Sequence, residues 1–179
     1  MHNRSFTKNS GMTIIEILVM VIIVLIFVAV IFPHVVDLEG KARLSAVREN
    51  MKIVEMAVKA YALNNDGSYP LNPEDPAFRS FFPGGNCDSK NPVGGNYPEN
   101  PFTHILEAPL PGNVIDVNKA RQLPASDLGG TRIAGKIFYN ALIPSGEKKP
   151  IGYAIECADK DGKALTDPKT HKTYVLSNL

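Results

Sequence analysis

The sequence has few of the residues that form catalytic and metal sites. Its 179 residues include two cysteines and four histidines, with no Cys-x-x-Cys pair and no His-Glu-x-x-His string. No Ser/His/Asp arrangement of recognised spacing is present, and no glycine-rich phosphate loop follows a predicted strand. The composition therefore predicts that the chain is not an enzyme, and it predicts no metal, cofactor or small-molecule substrate.

The sequence also lacks a charge excess outside its first residues. The formal net charge is +1, which gives no indication of a nucleic-acid partner, although it does not exclude one. Residues 1–11 contain Arg4 and Lys8 and no acidic residue, and without these two the 18 acidic residues outnumber the basic ones. The basic excess therefore belongs to the N-terminal segment.

The sequence does contain one long apolar segment close to the N-terminus. Residues 17–32 are all apolar, and in residues 12–16 only Thr13 and Glu16 are polar. About 20 apolar residues are enough to span a bilayer as a helix. A secretory signal would be shorter and would end in a small-residue cleavage site, and none follows Phe32. A plain uncleaved anchor with its basic end in the cytoplasm is the alternative.

Glu16 is the residue that argues against a plain anchor. A charged side chain at the centre of a membrane helix costs about 2.5–3.5 kcal/mol on insertion scales, and less toward the helix ends. Because of this cost, a carboxylate within an apolar segment is expected to have a partner. The alternative is an unpaired glutamate whose carboxylate extends to the membrane–water interface.

The string GMTIIEILV, residues 11–19, resembles the N-terminus of the type IV pilin-like family, which includes type IV pilins and the pseudopilins of type II secretion. The resemblance covers about residues 5–65. It implies that a prepilin peptidase cleaves between Gly11 and Met12 and methylates the new amine of Met12, where the family most often has phenylalanine. It also implies that Glu16 meets the N-terminal amine of another subunit, which offsets part of the desolvation cost of both charges.

A second helical segment follows Pro33, which removes a backbone donor and predicts a kink or local melting of the helix. The resemblance implies that this proline region can unwind when subunits pack into a filament, and a static kink is the alternative. Apolar residues then recur at steps of three and four, as on one helical face: Leu44, Val47, Met51, Val54, Val58 and Tyr61. Asn64 to Gly67 is a strong stop signal. We therefore expect a helix from Met12 to about residue 65 whose C-terminal half packs against a sheet.

The region after this helix is dominated by turn residues. Residues 66–130 contain ten of the fourteen prolines and eight of the fourteen glycines, which is loop chemistry. A short helix at 76–82 and a short strand at 114–117 are predicted within it. Large apolar residues spread through the region predict that it is packed: Phe78, Phe81, Phe82, Tyr97, Phe102, Ile105 and Leu106.

Three segments near the C-terminus alternate apolar and polar residues between turn signals. They predict strands at 135–143, 152–158 and 173–177 in an antiparallel meander. The predicted fold class is α+β, with a long N-terminal helix whose C-terminal half packs on an antiparallel sheet of about three to four strands. A long proline- and glycine-rich loop joins helix and sheet, which is the pilin fold that the resemblance implies.

The two cysteines, Cys87 and Cys157, are predicted to form a disulfide, because the chain is expected to be exported. A bond that closes so long a loop would stabilise the fold by about 4 kcal/mol in the chain-entropy model. Two unpaired thiols are the alternative.

We therefore predict five segments in the chain. They are a cleaved leader (1–11), a transmembrane and polymerisation helix (12–33), an amphipathic helix (34–65), a variable loop region (66–130) and a β-sheet head (131–179). The leading hypothesis is a structural subunit of a type IV pilus. It would rest in inner-membrane lipid until the assembly machinery builds it into a homo-oligomeric helical filament on the cell surface. A pseudopilin of a periplasmic filament is the alternative, and an uncleaved membrane-anchored binding domain is the second alternative.

Overall fold

The computed structural model describes residues 11–122 and 133–179, apart from the side chains of residues 33–37. It contains three helices, α1 (Ile14–Asn64), α2 (Pro76–Arg79) and α3 (Val117–Gln122), within these ranges. Its four strands in the same ranges are β1 (Leu110–Pro111), β2 (Ile137–Leu142), β3 (Gly152–Cys157) and β4 (Leu176–Ser177). The chain divides into two compact units, Met1–Gly40 and Lys41–Leu179.

The C-terminal end of α1 lies at the stop signal in the sequence. Gly67 has a φ of 77°, a conformation that glycine adopts easily because it has no Cβ. Its amide donates a hydrogen bond of 2.9 Å to the carbonyl of Ala62, which the helix end would otherwise leave unpaired. The expected helix end near residue 65 is therefore confirmed.

The C-terminal half of α1 packs on the sheet through the apolar stripe that the sequence predicts. Four stripe residues are completely buried: Val47, Met51, Val54 and Val58. They form one core cluster with sheet residues that include Tyr139, Tyr153, Ile155 and Cys157. Each large apolar side chain buried in this way contributes roughly 1.5–3 kcal/mol relative to exposure. The stripe is therefore the main attachment between the helix and the sheet.

The sheet has the strand order β1-β2-β3-β4. β2 and β3 pair antiparallel from Ile137 opposite Cys157 to Leu142 opposite Gly152, and β3 pairs antiparallel with β4. The predicted antiparallel meander is confirmed for these three strands, although β4 is shorter than expected.

The sheet as a whole is mixed, which the sequence did not predict. β1 pairs parallel with β2 at the edge of the sheet, where Pro111 is tolerated because an edge strand leaves some amides unpaired. The strand predicted at 114–117 is wrong. Asp116 instead caps the start of α3, since its Oδ1 accepts a hydrogen bond of 3.0 Å from the amide of Lys119, as a helix-capping side chain does.

The proline- and glycine-rich region is packed where the structure describes it. The predicted helix at 76–82 is present as the shorter α2, which begins with Asp75 as its cap and Pro76 in its first turn. Phe78, Phe81 and Phe82 are buried in the core cluster, and Tyr97 and Phe102 pack against it. Ile105 and Leu106 are exposed instead of packed, which contradicts the prediction for these two. Residues 123–130 of the predicted loop region lie outside the described residues.

Candidate functional site

The dominant surface feature is the apolar N-terminal part of α1. The exposed fraction of its large apolar side chains ranges from 47% for Ile22 to 85% for Ile14. Within the described residues, Ile14–Phe32 is the one helix long and apolar enough to cross a membrane, with a mean hydropathy of 3.5 and 0% burial. A core helix of a soluble protein would be mostly buried, whereas a membrane anchor and a signal sequence both share these properties.

Glu16 lies in the first turn of this helix. Its amide donates a hydrogen bond of 3.3 Å to Oγ1 of Thr13, the residue just before α1. Thr-x-x-Glu is the spacing of a capping box, and the positive end of the helix dipole favours an anion in this turn. The sequence analysis did not predict this capping role, although the string Thr13-Ile14-Ile15-Glu16 has the spacing that signals it. Helix initiation is thus a second reason for a glutamate at this position.

The predicted processing site is open to solvent on its described side. Gly11 and Met12 are exposed, and a Cβ built on Gly11 would meet no heavy atom within 4 Å. Arg4 and Lys8, the predicted basic residues of the leader, lie outside the described residues. Cleavage after Gly11 and methylation of Met12 stay predictions.

Pro33 belongs to the backbone of α1. Its side chain lies outside the described residues, and so does the packing around it. Its predicted role in bending or unwinding the helix stays a prediction.

The predicted disulfide between Cys87 and Cys157 is corrected by the structure, in which both thiols are free. Cys157 is completely buried in the core cluster under α1, whereas Cys87 is exposed. Cys87 lies in the turn after α2, where its amide donates to the carbonyl of Ser80 at 2.9 Å. Burial raises the pKa of the Cys157 thiol far above its ordinary value, because an apolar environment disfavours the thiolate.

Buried polar groups in the compact unit Lys41–Leu179, called the head from here on, connect segments that are distant in sequence. Nζ of Lys136 pairs with Glu107, and both side chains are largely buried. Nδ2 of Asn100 donates hydrogen bonds of 3.0 Å to Glu107 and 2.9 Å to the carbonyl of Ala134. No buried side-chain nitrogen or oxygen of Lys136, Glu107 or Asn100 lacks a hydrogen-bond partner, and the cluster fixes the loop from Glu99 to Glu107 against the start of β2.

A second polar cluster joins α1 to β3. The hydroxyl of Tyr153 donates a hydrogen bond of 2.8 Å to Oε1 of Glu55, which also pairs with Lys59 at 2.8 Å. Among the residues that the structure describes, no group of three or more His, Cys, Asp or Glu side chains is arranged to hold a metal ion. The hydrogen bonds and ion pairs of the two polar clusters link segments that are distant in sequence.

Comparisons with protein-family models, with curated proteins and with solved structures found no match to the chain. The resemblance to the type IV pilin-like family therefore rests on residues of the N-terminal segment, and the α+β layout is compatible with it.

Proposed function

We propose that the chain is a filament subunit of the type IV pilin kind, matured by a prepilin peptidase and assembled through its apolar N-terminal helix. The observation that carries this proposal is an uncovered apolar helix with a single carboxylate, Glu16, in its first turn. A peptidase that removes residues 1–11 places a free amine on Met12. The mature helix then carries both members of an ion pair, one at its start and one in its first turn.

The exposed helix supplies the energy for assembly. Burying one large apolar side chain is worth about 1.5–3 kcal/mol, so covering four of them gives roughly 6–12 kcal/mol. A surface of this length and composition is stable in lipid or against other copies of the chain, but not in water. Storage in the membrane and release into a filament both satisfy this condition.

The charges set the register between helices. An unpaired amine or carboxylate in an apolar surrounding is costly, and pairing the two offsets part of that cost. Only one axial offset between neighbouring helices brings the amine of Met12 in one copy to Glu16 of another. The apolar surface therefore provides attraction, and the charge pair selects one arrangement.

The N-terminus of the protein from native membranes provides the decisive test. Mass spectrometry is expected to find a chain that begins with a methylated Met12. An intact Met1 would refute both filament functions and leave the uncleaved anchored domain. Electron microscopy of material sheared from cells then separates long surface pili from a periplasmic pseudopilus.

A further inference from the structure

A groove of about 330 Å³ lies between the C-terminal half of α1 and the turn that follows α2. The helix contributes Ile53, Met56 and Ala60 to its lining, and the turn contributes Pro83 to Gly85 and Cys87. No charged side chain is among these lining residues, within the part of the chain that the structure describes. The groove therefore suits an aliphatic occupant.

The pattern of the helix shows that this wall is a second apolar stripe. Ile53, Met56 and Ala60 line the groove, and Leu63 extends their stripe beyond it. The four recur at steps of three, four and three, which places them on one helical face. This face is distinct from the buried stripe on the sheet, because Met56 and Leu63 are exposed. A contiguous apolar surface on a folded head marks an interaction site more often than a scattered exposed residue does.

The other wall of the groove is rigid. The amides of Gly85 and Cys87 donate hydrogen bonds of 2.9 Å to the carbonyls of Phe82 and Ser80. A Cβ on Gly85 would lie 2.1 Å from the carbonyl oxygen of Ser80, so only glycine allows this close approach. The groove is therefore formed before any partner arrives, which lowers the entropic cost of binding.

The same head presents a rigid apolar projection. Ile105 and Leu106 are adjacent, and more than half of each side chain is exposed. Buried Asn100 fixes their loop through two hydrogen bonds. Its backbone amide donates one of 3.0 Å to the carbonyl of Ile105, and its Oδ1 accepts one of 2.9 Å from the backbone amide of Phe102. Leu106 also forms a bridge with Glu99. Two adjacent aliphatic side chains on a fixed loop have the chemistry that the groove requires.

We propose that the groove beside Cys87 in one copy receives Ile105 and Leu106 of a second copy. Projection and groove are different surfaces of the unit Lys41–Leu179, and both are exposed there, so one copy does not fill its own groove. A contact between two different surfaces is heterologous, so its repetition builds a ring or an open helical filament instead of a two-fold dimer. The open filament is the form that agrees with the proposed function. The inference rests on the proposed filament function and adds to it a specific contact between heads.

This contact is too small to hold copies together by itself, since stable interfaces bury about 1,200–2,000 Å². The apolar N-terminal helix supplies the larger part of the buried surface, and the head contact fixes the orientation of neighbouring heads relative to each other. Loss of the contact is therefore expected to alter the order of the filament more than the amount of subunit in the membrane.

The native Cys87 allows a direct test with one substitution, Leu106→Cys, in the full-length protein. A disulfide requires Cβ atoms about 3.5–4.5 Å apart, so mild oxidation of sheared filaments is expected to cross-link the thiol introduced at position 106 of one copy to Cys87 of the next. Non-reducing electrophoresis should then show a ladder of multimers. Cys157 is completely buried, and its protection from a maleimide before denaturation verifies that each variant is folded.

Two matched variants control this experiment. Ile115→Cys places a thiol at another exposed aliphatic position and is expected to give no ladder, and Leu106→Cys combined with Cys87→Ser is also expected to give none. Filaments without a ladder, an equal ladder from Ile115→Cys, or a single dimer band would each overturn the head contact while leaving the filament function intact. An unprocessed chain that forms no filaments would instead refute the filament function, and the head contact with it.

Discussion

Met51 and Met56 carry the same side chain on the same helix but have opposite environments. Met51 is completely buried between α1 and the sheet, whereas 61% of Met56 is exposed in the groove. Truncation of a buried methionine to alanine costs about 2–5 kcal/mol, because transfer energy is lost and a cavity remains. Truncation of an exposed one changes stability by less than about 0.5 kcal/mol, since alanine is at least as good a helix former.

The prediction is that Met51→Ala destabilises the head and Met56→Ala does not. For a chain of this size, 1 kcal/mol shifts Tm by roughly 2–4 °C, so Met51→Ala should lower Tm by roughly 4–20 °C. Met56→Ala should leave Tm within about 2 °C of the unchanged protein. Thermal unfolding of the full-length protein in detergent, followed by near-ultraviolet circular dichroism, measures both.

The effects on filament assembly should be the opposite of the effects on Tm, provided that part of each variant still folds in the cell. Met56→Ala widens the groove and should weaken filament order, while the surviving fraction of Met51→Ala should assemble normally. Equal Tm shifts for the two variants would refute the assignment of Met51 to the core and Met56 to the surface. A larger shift for Met56→Ala would refute it more strongly.

Three further predictions concern charge and thiols. Glu16→Leu should be inserted and cleaved but should assemble poorly, because the amine of the neighbouring subunit loses its partner; a normal filament yield would contradict this. Burial raises the pKa of Tyr139 and Tyr153 above the ordinary 10.0, with the carboxylate of Glu55 adding to the effect on Tyr153. As the pH rises, the unfolded chain loses these protons before the folded protein does. The two tyrosines should therefore contribute fully to the free energy of unfolding below pH 10.0, and this contribution should fall above pH 10.0. A Tm that stays constant through that range would refute the burial of these hydroxyls. A maleimide should label one thiol in the folded protein, Cys87, and two after denaturation, and a reductant should not change Tm. A Tm that falls on reduction would show that the disulfide between Cys87 and Cys157 forms after all.

The sequence predicted most of the helical half of this protein. The apolar residues from Met12 to Phe32, the stripe that includes Val47 and Val54, and the stop at Gly67 are local patterns. Each depends on residues within a few turns of one another, which is the range that periodicity covers. The same reason explains why β2 and β3 were found nearly in place.

The candidate assembly surface was also predicted, because exposure of a long apolar segment follows from its composition. Its capping interaction was not, although Thr13 and Glu16 have the spacing of a capping box. The role of Pro33 and the cleavage after Gly11 stay predictions, because they concern events in a membrane and a filament.

The structure alone decided the features that depend on residues distant in sequence. β1 pairs parallel with β2 because the chain returns to the edge of the sheet, and no local pattern in Leu110–Pro111 indicates that partner. The thiols of Cys87 and Cys157 stay apart because one faces the core and the other faces solvent. The projection of Ile105 and Leu106 depends on Asn100 and its bond to Ala134. By itself, the sequence determined an apolar helix that must be covered, because that depends on local composition. The tertiary structure decided which side chains of the unit Lys41–Leu179 remain exposed, because that depends on contacts between segments distant in sequence.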